Sequence, residues 1–193
     1  MKHGDPAVRL AAIHAAGDLE DVSAAEDLLP ILRGGSAQEQ AAAEAALGQM
    51  RAERARQAMV ASLPGAPEAM RARLLRALAW RPDPALLPLY LDAAKEVSAP
   101  VALAAMEALS RLRDQRAAPA FIEAARRRST EVGAMAVRGY LLLDPGVFDQ
   151  DREQARDMMR RALAQTGSDD DRRLALAAIA HLRDADLLPL VLP

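Results

Sequence analysis

Apolar residues recur along the chain at helical spacing, and that spacing itself repeats. Val8, Ala12, Ala15, Ala16 and Leu19 follow an i, i+4, i+7, i+8 pattern, one face of an α-helix. After a short polar break a second apolar run follows, Leu28, Leu29 and Leu32. A step of 31 residues brings both runs round again. The sites Ala12, Ala43, Leu74, Ala105 and Ala136 form one column, and Ala16, Leu47, Leu78, Leu109 and Tyr140 a second. A third, Leu19, Met50, Leu112 and Leu143, fails only at Arg81. The second run continues as Met59, Val60 and Leu63, then Tyr90, Leu91 and Ala94, then Phe121, Ile122 and Ala125. Each unit predicts a helical hairpin whose apolar faces need a neighbouring hairpin to cover them.

The units span roughly residues 5–35, 36–66, 67–97, 98–128, 129–167 and 168–193. The fifth is lengthened by DPGVFDQD, Asp144 to Asp151, which reads as a longer hairpin turn or as an insertion that carries function. DPALLPLYL at 83–91 and DADLLPLVL at 184–192 are then the same second helix, separated by two steps of 31 and one of 39. Pro88, Pro119 and Pro189 share a column in its first turn, where a missing amide hydrogen costs nothing. Pro30 falls a turn later, which predicts a late start or a bend. The sixth unit stops at Pro193 with Leu190, Val191 and Leu192 as an uncapped apolar edge. That predicts a fragment of a longer solenoid or multidomain protein, or self-association through an exposed end.

The expected fold is an all-α, right-handed α-α superhelix of five full hairpins and a truncated sixth, in one domain over residues 1–193. The segment DPAVRLAAIHAAGDLED, from Asp5, resembles the HEAT repeat in its short form of about 30 residues, found in bacterial proteins and in phycobilin lyases. The resemblance runs from about Asp5 to Leu192. Its Val-Arg signature is Val8-Arg9, decaying to Met70-Arg71, Val101-Ala102 and Val132-Gly133. The second unit departs furthest, with Glu39-Gln40, and suggests a shifted first helix there. The resemblance implies a HEAT-like solenoid but leaves activity open, since such repeats serve scaffolds, adaptors, lyase subunits and DNA glycosylases.

Composition narrows the chemistry. Ala and Leu dominate the 51% apolar content while aromatics are 3%, which favours close-packed helices over sheets. Twenty-five Lys plus Arg against 27 Asp plus Glu give a net charge of −2, so no global field draws in a polyanion. With no cysteine there are no disulfides, thiolate nucleophiles or Cys-based zinc sites. No signal segment or membrane-spanning run is evident, which predicts a soluble chain and leaves its compartment unknown.

Candidate site residues are few. Arg9, Arg71 and Arg172 share one column and Asp21, Asp83, Asp114 and Asp184 another. They read as a charged binding stripe or, better, as a ladder in which Asp caps the second helix and Arg bonds turn carbonyls. His3, His14 and His181 form no metal motif, and no nucleophile elbow or phosphate loop is present, so no catalytic, cofactor or metal site is expected. Clustered arginines such as Arg126, Arg127 and Arg128 are offset by Asp169, Asp170 and Asp171, which makes nucleic acid a minor reading. Trp80 stands in a mostly polar column, either at an interface or flat over a neighbouring turn near Pro82 or Pro84.

These features predict a non-catalytic module that binds a protein or peptide on a concave face lined by second helices. Asp27, Arg54, Gln57, Asp92, Arg116 and Glu123, with Trp80, are the expected contacts. The alternatives are a lyase-like or glycosylase-like protein using the same groove for a chromophore or DNA, and a structural spacer. The character of the concave face separates them: a deep apolar pocket favours a chromophore, a basic groove DNA, and a shallow mixed surface a protein.

Overall fold

In the computed structural model, residues 4–18, 22–127, 130–164, 169–183 and Leu187 are described. Among them the regular structure is entirely helical, twelve α-helices and two short 3-10 turns. They fall into two compact units that divide after Asp83.

The first unit holds α1 (Pro6–Asp18), α2 (Val22–Gly34), α3 (Ala37–Gln49), α4 (Glu53–Ala61) and α5 (Glu68–Ala79). α3 packs on α1, α2 and α5, and α2 also meets α4. Ala43, Leu47, Leu74 and Leu78 of the repeat columns are buried, while Ala12 is only partly so. Small residues permit the close approach: a Cβ on Gly17 would stand 2.9 Å from the Ala46 backbone. α2 does not start late as Pro30 suggested. It begins at Val22 and runs through the proline to Gly34.

Nor is the first helix of the second repeat shifted. α3 begins 31 residues after α1, and the odd Glu39 has two local tasks. Ser36 accepts the Glu39 amide while the Glu39 carboxylate accepts the Ser36 amide, a capping box that fixes the helix start. The same carboxylate takes Arg9 Nε at 2.7 Å from α1. Here the Val-Arg signature is exchanged for an ion pair between successive repeats.

The second unit opens with a 3-10 turn (Pro84–Leu86) that leads into α6 (Leu87–Ala93), with Pro88 in its first turn. α7 (Ala99–Leu112) follows and ends at Arg113, whose φ of 52° is left-handed. A second 3-10 turn (Gln115–Ala117) precedes α8 (Ala118–Arg127), and then come α9 (Thr130–Leu141), α10 (Gly146–Gln150), α11 (Arg152–Ala164) and α12 (Asp169–Leu182). α9 packs on α7, α8, α11 and α12. Tyr90, Phe121 and Tyr140, all core positions by register, are fully buried. The insertion from Asp144 to Asp151 is no bare turn: α10 buries Val147 and Phe148, and the Phe148 ring lies 5.5 Å from Tyr140 and 6.4 Å from His181. The second helix of the last repeat, including Pro189 and the Leu190–Leu192 edge, lies outside the described residues.

Arginines tie repeats together, Arg9 of the expected column through Glu39 and several others outside that column. Glu44 receives Arg73 and Arg76 at 3.0 Å each, Arg56 reaches Asp83 at 2.8 Å, and Arg138 reaches Asp171 at 2.5 Å. Carbonyls at or near helix ends are bonded by Arg81 (to Met50), Arg161 (to Ala125) and Arg152 (to Leu182). Asp114 does cap its turn, accepting the Arg116 amide at 2.9 Å. Asp21 and Asp184 lie outside the described residues.

Candidate functional site

The second unit carries a groove of about 730 Å³ between second helices of consecutive repeats. Leu91 of α6, with Ala94, Lys95 and Val97 just after it, forms one side. Arg116, Pro119, Ala120, Glu123 and Ala124, from α8 and the turn before it, form the other. The volume falls within the roughly 300–1,000 Å³ usual for small-molecule sites. Small residues make the space: alanines at 94, 120 and 124 leave room that longer side chains would fill. Pro119 sits in the first turn of α8, where its missing amide is harmless. Val97 is 95% exposed in the turn after α6, an apolar side chain with nothing over it beside an apolar groove.

Charge stands at the rim. Lys95 Nζ meets Asp92 Oδ1 at 3.1 Å, and both side chains are exposed. Arg116 is held more firmly, by two parallel bonds to Asp114, Nε to Oδ1 at 2.9 Å and Nη2 to Oδ2 at 2.6 Å. The Arg116 side-chain hydrogen bond is the main cause that holds the Asp114 carboxyl below the usual range, against the desolvation that would raise it. Asp114 in return raises Arg116. The guanidinium is therefore oriented, yet its side chain stays 68% exposed and keeps donors for a ligand. Two cations and the Glu123 carboxylate around an apolar floor suit an amphipathic molecule with carboxylate and N–H groups.

A smaller cavity of about 580 Å³ lies on the other side of Arg116 and Pro119, walled by Ile122, Tyr140 and the inserted Val147, Gln150 and Asp151. Burial pushes the Tyr140 phenol up to about 12, and the Asp151 charge adds to the rise. A third cleft, of about 540 Å³, sets Arg126, Arg160 and Arg161 among Asp151, Glu153 and Asp157. The arginine runs there are interleaved with carboxylates and do not make a basic track.

All seven sequence-predicted contact residues are exposed, and they divide between the two units. Arg116 and Glu123 line the 730 Å³ groove, and Asp92 touches it through Lys95. Asp27 (on α2), Arg54 and Gln57 (both on α4) belong to the first unit, where Gln57 bonds Glu53 at 3.1 Å. Trp80, 44% exposed at the end of α5, lies against Gly48 of α3. Sequence reasoning missed Lys95, Val97 and the alanines. Val97, a lone apolar residue between polar neighbours in a turn, was the available signal. Among the described residues no cluster of three or more His, Asp or Glu could hold a metal, and no helix is long and apolar enough to cross a membrane.

These helices define the fold of an α-helical solenoid. The chain is similar to the solved complex of CpcE and CpcF of phycocyanin lyase from Nostoc sp. PCC7120, with a TM-score of 0.65 and 22% identity over 82% of this chain and 99% of that one. No family model matches the sequence, and no curated protein matches it significantly. The likeness corrects two expectations together, the non-catalytic scaffold and the absence of enzymatic activity. The fold is one that the phycocyanin lyase complex uses.

Proposed function

We propose that this chain is a HEAT-like lyase subunit that binds a linear tetrapyrrole in the α6–α8 groove and works with a protein partner. The groove carries the reading, with its size, apolar floor and two rim cations. The likeness to a phycocyanin lyase made of CpcE and CpcF supports both the chromophore and the protein partner. Leu91, Val97, Pro119 and the alanines cover the apolar face of the tetrapyrrole and keep water from it. Lys95 and Arg116 take its carboxylates, Arg116 in an orientation set by Asp114. Glu123 accepts from its N–H groups. The chain's part in lyase chemistry is to hold the chromophore extended and dry, one edge open toward an acceptor polypeptide.

Titration of the purified chain with biliverdin, followed by visible absorbance, tests this reading. Saturable binding with a sharpened long-wavelength band is expected, weakened in the double variant Lys95→Glu, Arg116→Glu. No saturable binding, or binding indifferent to both charges, overturns it.

A further inference from the structure

The register that builds the α6–α8 groove builds another two repeats earlier, inside the first unit. Leu29 and Arg33 hold the positions that Leu91 and Lys95 hold later, and Ser62 holds that of Ala124. The earlier groove measures about 510 Å³ and includes the buried Met70.

One difference between the two grooves concerns charge. Where the second unit has Asp92, bonded to Lys95, the first has Pro30. A proline offers no counterion, and Arg33, exposed at the end of α2, makes no ion pair among the described residues. Proline also has no amide hydrogen, so the Glu26 carbonyl, four residues earlier, loses its α-helical donor. Glu26, exposed and bringing its carboxylate as well as its carbonyl, Pro30 and Arg33 all line the groove. Arg33, whose guanidinium can only donate, is thus placed about 10 Å along the helix from residue 26, whose carbonyl lacks its usual partner, with Leu29 between them.

We infer that the α2–α4 groove of the first unit is a second ligand site, taking an apolar molecule with a carboxylate for Arg33 and an N–H for the Glu26 carbonyl. Its ligand class, a linear tetrapyrrole, rests on the reading of the α6–α8 groove; its location does not. Pro30 serves the site twice, by withholding a counterion from Arg33 and a hydrogen from Glu26.

The test is the stoichiometry of biliverdin binding by isothermal titration. The wild-type chain should take two equivalents. Arg33→Glu should lose one, its affinity falling at least about tenfold, as expected when a charged hydrogen bond is removed. Lys95→Glu with Arg116→Glu should lose the other. In that double variant, Pro30→Ala should weaken the remaining site severalfold while raising the thermal midpoint, a pairing that a merely structural proline would not give. A single equivalent that ignores Arg33→Glu overturns the second site and leaves the α6–α8 reading standing. Binding lost on Arg33→Glu alone and indifferent to the double variant does the reverse. No binding by the wild type overturns both.

Discussion

Arg9 Nε lies 2.7 Å from Glu39 Oε1, so a residue that starts α3 also ties it to α1. Because the Glu39 carboxylate also accepts from the Ser36 amide and hydroxyl, its pKa falls from the ordinary 4.5 to about 2, with the Arg9 hydrogen bond as the largest cause.

A carboxyl lowered in the folded state contributes stability that is fully present above its unfolded pKa and is lost as pH falls through the folded one. Glu39→Gln should therefore lower the urea midpoint at neutral pH. The gap from wild type should close between about pH 4.5 and 2. A gap that persists at the acid end would show that the pair does not act through the charge of Glu39.

Gly139 lies in the last turn of α9, against a full core. A Cβ there would stand 2.3 Å from Phe121 Cε1 and 2.5 Å from Ser110 Oγ, and the Phe121 ring is fully buried. Gly139→Ala should destabilise the second unit by about 1–3 kcal/mol through overpacking, even though alanine is the better helix former. Chemical denaturation of the two proteins side by side measures it.

Tyr140, raised from 10.0 to about 12, should stay protonated well past the point where a free tyrosine ionises. Its buried phenol favours the folded state below pH 10, and that contribution fades between about 10 and 12 as the unfolded chain alone ionises. Near-ultraviolet phenolate absorbance should show the delayed titration, and Tyr140→Phe should remove it.

Val97→Ser should separate binding from folding. The side chain is 95% exposed, so stability should change by less than about 0.5 kcal/mol. Tetrapyrrole affinity should fall nonetheless, since an apolar wall of the groove is lost. Parallel melting and binding curves decide it.

The repeat columns were readable because burial obeys the register: Ala43, Leu74, Ala105 and Ala136 are all fully inside. Glu39 escaped because its residue type breaks the column while its geometry keeps it, and only the capping box reveals why. Asp27, Arg54 and Gln57 were identified as polar positions on second helices. Polarity marks what the core leaves out, whereas a groove depends on which positions are small, as Ala94, Ala120 and Ala124 are. Their alanines looked like the Ala-rich background of the whole chain. The groove went unread for the same reason, because a cavity is made of missing side chains.

The contact between Trp80 and Gly48 gives the chain a built-in optical gauge. It is the only tryptophan, its indole is about half covered, and the covering surface is helix backbone of the preceding repeat, which a Cβ at Gly48 would push away at 2.5 Å. Emission from this one ring should therefore respond to the spacing of α3 and α5, so loosening of that seam can be followed in solution without a label.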